Sequence, residues 1–194
     1  MNEDFSKVEK EVLEEGYEWI DNNKDDIIEF LIEITERESI TGNEGTCDDQ
    51  DSAVGYLWNF LSETVDDEKI ELSKQSIPKK SDYVDKKRDN IYTVFKGRGN
   101  NAFICESHTD VVPSGDLSKW PDGDPFTVKN AVVRRIDECK VEIAYDDKTV
   151  QRDIREKMNR IWKKRDYDET EALIGRGVFD NKSSIACLVG CLLA

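Results

Sequence analysis

Asn101-Ala-Phe-Ile-Cys105, followed by Glu106-Ser-His-Thr-Asp110, is the stretch on which the reading of this chain turns. Its short continuous apolar run predicts a central strand covered on both faces. The polar residues beyond it fall outside the carboxyl end of that strand, where open α/β sheets gather their ligands. His108 is the only histidine in the chain. In extended backbone His108 and Asp110 project to the same side. One ring nitrogen is then available to a metal, while the Asp110 carboxylate holds the other, fixing the tautomer and raising ligand basicity. A histidine at a strand end is also often a hydrogen-bonded structural residue, so both roles stand open at this point.

Upstream, Val8, Val12, Leu13, Tyr17 and Ile20 recur at helical spacing, and Ile27, Ile28, Leu31, Ile32 and Ile34 follow in a second helical segment. The polar stretch Ser39-Ile-Thr-Gly-Asn-Glu44 interrupts the pattern before a third helix fitting Ala53, Val54, Leu57, Phe60 and Leu61. The period then changes to that of strands at Ile70 and Leu72 and at Asn90-Ile-Tyr-Thr-Val-Phe95, with a charged, turn-rich loop over residues 78–88. Downstream, Ala131-Val-Val133 and Val141-Glu-Ile-Ala-Tyr145 read as strands. Val150, Ile154, Met158 and Ile161 mark an amphipathic helix, basic on its other face through Arg152, Arg155, Lys157, Arg160, Lys163, Lys164 and Arg165. A basic helix can signal nucleic acid or a membrane surface; in so acidic a chain, pairing with nearby carboxylates or plain solvation is the better reading.

The chain has 194 residues, enough for one well-cored domain, and equal hydrophobic and charged shares of 37% make wholesale disorder an unsuitable reading. A net charge of −15 argues against nucleic acid and against an anionic membrane as partners, since both are polyanions. Adaptation to high salt is a second explanation of that charge. No apolar run reaches the ~20 residues of a membrane span, and the acidic, amphipathic start MNEDFSKVEKEVLEE is unlike a secretory signal. The expected location is cytoplasmic. The five cysteines are scattered and form no CxxC pair, which fits neither a disulfide framework nor a zinc knuckle. Cys187 and Cys191, one helical turn apart in an apolar run, are expected to pack in the core.

A second cluster, Gly175-Arg-Gly-Val-Phe-Asp180-Asn-Lys182, sits between a short strand at Ala172-Leu-Ile174 and an apolar helix beginning near Lys182. Its glycines permit tight turning and close backbone approach. Asp180 can point into a site at the sheet edge or simply cap the helix. Taken together, His108-Thr-Asp-Val-Val-Pro-Ser-Gly-Asp-Leu-Ser-Lys-Trp120, then Asp124-Pro-Phe126, then Gly-Arg-Gly-Val-Phe-Asp-Asn-Lys resemble the zinc amidohydrolases that include acetylornithine deacetylase, succinyl-diaminopimelate desuccinylase, aminoacylase and glutamate carboxypeptidase. Ser39, Gly42 and Glu44 also resemble that family's early Ser-x-x-Gly-x-Glu segment, and the likeness runs from about residue 25 onward.

The resemblance implies an α/β fold: a three-layer sandwich with a mostly parallel central sheet, here the N-terminal part of a zinc-peptidase-like catalytic domain with a helical N-terminus. Residues 1–24 would be a helical extension and 25–194 an incomplete catalytic domain, with an insertion at about 129–171. By position, His108 would ligate one of two zinc ions, Asp180 would bridge both, and Asp110 would orient His108, with cobalt as an alternative metal. Trp120, Asp124 and Phe126 would shape the surroundings. The substrate would be an N-acyl amino acid or small peptide, cleaved at its amide bond by a metallopeptidase or deacylase. The family's general-base Glu, its remaining acidic ligands, its last His and its second domain are not found before Ala194. The expectation is therefore an N-terminal fragment, inactive alone, completed by a complementing C-terminal chain or occurring as a homodimer in full-length form. A non-catalytic binding module is the competing reading.

Overall fold

The computed structural model describes residues 7–66, 68–77, 86–97, 102–153 and 169–194. The chain divides into two units, Met1–Gly115 with Arg176–Ala194, and Asp116–Gly175.

The first unit holds helices α1 (Lys7–Asn22), α2 (Lys24–Glu36) and α3 (Ala53–Thr64), then a hairpin of β1 (Ile70–Ile77) and β2 (Arg88–Phe95), and finally α4 (Ser183–Leu193). Asn23 separates the first two helices: its backbone N–H and its side-chain amide both donate to the Trp19 carbonyl, at 3.0 and 2.7 Å. At the start of α3, Ser52 accepts from the Gly55 N–H at 3.0 Å, supplying one of the amides a helix start leaves unpaired. Gly55 is required there, since a Cβ would fall 1.9 Å from the Asp49 carbonyl oxygen. One core gathers Phe30 and Ile34 from α2, Ala53 and Leu61 from α3, Ile70 from β1, and Ile185, Ala186 and Val189 from α4. Phe30 packs its ring 4.6 Å from Phe60 and 5.6 Å from Tyr56. The Arg37 guanidinium lies 3.9 Å over Tyr56.

The second unit is an antiparallel sheet of order β5-β4-β3-β6, built from β3 (Lys129–Arg135), β4 (Lys140–Tyr145), β5 (Lys148–Asp153) and β6 (Glu169–Ile174). Asp146, at φ 49°, opens the two-residue turn between Tyr145 and Lys148. Such a turn binds two strands antiparallel. Ala131, Val141 and Tyr145 are buried on one face. On the other face Arg134 reaches across to Glu169 at 2.6 Å and to Glu142 at 3.7 Å.

These observations overturn the expected α/β sandwich. Both sheets are antiparallel, and the parallel pairing seen among the described residues is one bridge, Ile40 with Val111. Over its described residues the expected central strand does not form: residues 102–110 make no ladder, and Phe103 and Ile104 are 91% and 82% exposed, while Asn101 lies outside the described residues. An apolar run of that length states a need for cover but not which strands supply it. The expected helix near Val150 is also corrected at its start, because Val150 and Arg152 lie in β5. Ile154, Arg155, Lys157, Met158, Arg160, Ile161, Lys163, Lys164 and Arg165 lie outside the described residues, as do residues 78–85 of the charged loop. Cys187 and Cys191 are exposed, not core. The buried stripe of α4 is Ile185, Ala186, Val189 and Gly190, and both cysteines fall on the opposite side of the turn. Among the described residues no helix is long and apolar enough to cross a membrane.

Candidate functional site

The segment bearing His108 is anchored to the loop after α2 rather than to a sheet. The Val111 N–H donates to the Ser39 carbonyl at 2.9 Å and the Thr41 N–H to the Val111 carbonyl at 3.0 Å. The fully buried Ser39 hydroxyl donates to the Thr109 carbonyl at 2.7 Å. Within the same loop, the buried Glu44 accepts the Gly42 N–H at 2.7 Å and faces Arg88 at 3.7 Å, which makes it a brace for the loop.

On this anchored segment the Nδ1 atom of His108 faces only acceptors, the Asp110 carbonyl at 3.0 Å and its carboxylate Oδ1 at 3.2 Å. Nδ1 therefore carries the ring proton of the neutral imidazole, and Nε2 presents its lone pair. Asp110 is held in turn by the Thr41 hydroxyl, which donates to its Oδ2 at 2.8 Å.

Asp180 arrives on a five-residue π-type turn, Val178–Lys182, entered through Gly177 at φ 91°. A Cβ on Gly177 would meet Val111 Cγ1 at 2.6 Å, so glycine is what lets the turn lie against the His108 segment. The Asp180–Asn181 peptide is cis. Asn181 and Ser107 clasp each other: the amide Nδ2 donates to the Ser107 hydroxyl at 3.0 Å, and that hydroxyl donates to the Asn181 carbonyl at 3.3 Å. No side chain caps α4, so capping is not what Asp180 does. Its carboxylate Oδ1 stands 3.5 Å from His108 Nε2. The two side chains are 83% and 52% exposed, open to an ion from solvent. Below the turn, Lys182 is fully buried, and its ammonium donates to the carbonyls of Ile34 and Arg37, each at 2.9 Å. Burial first, and the Arg37 charge second, push this amine down to about 8.

A neutral Nε2 and a carboxylate oxygen are both acceptors, so their approach is favourable only with a proton on Nε2 or a metal ion between them. Two donors about 2.1 Å from a tetrahedral zinc stand about 3.4 Å apart. The observed 3.5 Å matches that spacing, so the pair fits two positions of a zinc or cobalt site. Among the described residues no group of three or more His, Cys, Asp or Glu side chains could hold a metal. The structure thus brings His108, Asp110 and Asp180 together and places no third metal donor beside them. Trp120, Asp124 and Phe126 belong to the second unit, where Asp124 accepts the Phe126 N–H at 2.9 Å and the Thr127 hydroxyl at 2.7 Å.

Thr41, Ser107, Asn181 and Lys182 were not singled out by the sequence for the parts they play. Thr41 lies between the quoted Ser39 and Gly42, but only the Ile40–Val111 register shows that its hydroxyl meets Asp110. One thiol is buried: Cys47 lies beside Asp89, whose carboxylate accepts the Cys47 N–H at 2.9 Å. Burial and then the Asp89 charge push it up to about 12. It is an inert core thiol, not a nucleophile. Comparison with protein-family models, with curated proteins and with solved structures gives no match.

Proposed function

We propose that this chain carries one ligating corner of a dinuclear zinc hydrolase site, with His108 and Asp180 as metal ligands and Asp110 as the residue that orients His108. The observation that supports this reading is the 3.5 Å approach of Asp180 Oδ1 to an imidazole nitrogen whose partner nitrogen is already satisfied. The substrate class is an amide of an N-acyl amino acid or small peptide, as the resemblance implies. Zinc bound there would supply Lewis acidity toward the scissile carbonyl and a lowered pKa for an attacking water. The chain's own residues hold Nδ1 protonated, aim Nε2, and keep the Asp180 carboxylate opposite it. No described residue takes the part of general base, and the one histidine cannot provide a second imidazole ligand. On this reading turnover needs a general base and further metal donors beyond the described residues. The free state of all five cysteines fits a cytoplasmic setting.

A second reading, a non-catalytic binding module, draws on the same shortage of donors among the described residues. Cobalt titration of the purified chain separates the readings. One weakly held ion per chain, lost in His108→Ala and in Asp180→Ala, is expected. Unchanged cobalt uptake in both variants would sink the assignment, and two tightly held ions per chain would contradict the incomplete site. Amide hydrolysis appearing only on addition of a complementing partner would favour the enzyme over the binding module.

A further inference from the structure

We propose that Lys182 is a positioning residue for the candidate site: its buried ammonium locks the Asp180 turn onto the C-terminal end of α2 and so fixes the Asp180 carboxylate opposite His108. The inference deepens the reading of His108 and Asp180 as a donor pair and rests on it.

Three observations carry it. First, α2 ends without a left-handed glycine cap, since Arg37 at its end is extended, with φ −84° and ψ 112°. The last carbonyls of such a helix need donors from elsewhere. Lys182 supplies them to Ile34 and Arg37, from 148 and 145 positions further along the chain. A cation there also meets the negative end of the helix dipole.

Second, the side chain is completely buried, and the partners of its ammonium among the described residues are the two carbonyls, with no acidic group acting on it. Burying an ammonium on carbonyls alone is costly, and a helix end is satisfied more cheaply by glycine or by water. Fixing one arrangement against others is one use such a buried group has. Third, Lys182 closes the same turn that presents Asp180, its own N–H donating to the Gly177 carbonyl at 2.9 Å. The turn is thus tied at three places: to Ser107 through Asn181, to Val111 by the close approach of Gly177, and to α2 through Lys182. Besides the continuation of the turn into α4, the Lys182 tie joins it to a second core helix, α2.

The test exploits the lone histidine, which gives one imidazole set of NMR signals in metal-free protein at fixed pH. Lys182→Met keeps length and apolar bulk but removes the ammonium; if it does not fold, Lys182→Leu, which likewise carries no donor, is read in its place. The expected result is that the His108 ring signals move to the position found in Asp180→Ala. Leu61→Ala, which weakens the same core away from the turn, should leave them in place. In an Asp180→Ala background the Lys182 substitution should move them no further. Cobalt affinity should fall about 10- to 100-fold, as for other residues that hold a ligand in place. Wild-type ring signals in the Lys182 variant would overturn the proposal, and so would an equal shift in the Asp180→Ala background. If the ring signals behave as expected but the wild-type chain takes up no cobalt, the metal reading fails and the positioning role stands.

Discussion

Replacing Gly177 by alanine tests whether the turn carrying Asp180 is built as described. Two costs follow from the structure. The residue sits at φ 91°, where an L side chain costs about 1–2 kcal/mol. The new methyl would also lie 2.6 Å from Val111 Cγ1, about 1 Å inside ordinary carbon–carbon contact. Val111 is itself buried, so relief requires backbone movement of the kind that costs about 1–3 kcal/mol. The sum, about 2–5 kcal/mol, is a large part of the 5–15 kcal/mol that stabilises a typical domain. Urea denaturation followed by far-UV circular dichroism measures it. The two costs separate in a double-mutant cycle, because Val111→Ala removes the clashing methyl and leaves the backbone cost untouched. Gly177→Ala should be partly rescued in the Val111→Ala background, with a coupling of about 1–3 kcal/mol. A Gly177→Ala protein within about 0.5 kcal/mol of the wild type, or strict additivity with Val111→Ala, would refute the packing of this turn on the His108 segment.

Ile34→Ala empties a fully buried core position and should cost about 2–5 kcal/mol in the same urea experiment; a loss under about 1 kcal/mol would mean the core is not where it is drawn. Thr41→Val removes the hydroxyl that holds Asp110 and should shift the His108 ring signals while costing only about 1 kcal/mol; unmoved signals would show that Asp110 needs no such support. With a thiol reagent at pH 8, the native chain should label at Cys105, Cys139, Cys187 and Cys191, and Cys47 only after denaturation. Raising a thiol from 9.0 to about 12 lowers its thiolate share about a thousandfold, so five equal labelling rates would refute its burial beside Asp89.

Helical periodicity was legible in α1, α2 and α3, which fall where Val12, Leu31 and Leu57 recur with their neighbours, although the stripe meets the core in α2 and α3 and stays exposed at Val12, Leu13 and Tyr17 of α1. The strands at Leu72, Ile91, Val132 and Ile143 were equally local signals, as was the apolar helix after Lys182. Sheet order was not legible, because pairing is decided between distant segments. Alternation in Val141-Glu-Ile-Ala-Tyr145 names a strand but not its neighbours, and the helical spacing that starts at Val150 hides the Asp146-Asp147 turn and the antiparallel strand beyond it. Phe103 and Ile104 misled for the same reason, since burial was inferred without a covering element. In the site, His108, Asp110 and Asp180 stand out by type and spacing. Their supports do not: a threonine hydroxyl, an asparagine amide and a lysine ammonium gain meaning only from what lies across from them.

The core of the first unit joins Phe30 and Ile34 to Ile185 and Val189, with the whole second unit between them in the chain. At a synthesis rate of about 5–20 residues per second, the N-terminal helices emerge roughly ten seconds before the helix that completes their core. During that interval Phe30, Ile34 and Leu61 have no finished interior to enter, whereas the Asp116–Gly175 hairpins can close on local pairings alone. The nascent protein is therefore expected to acquire order from its middle outward, with its first-made segment the last to be secured and the most in need of chaperone cover.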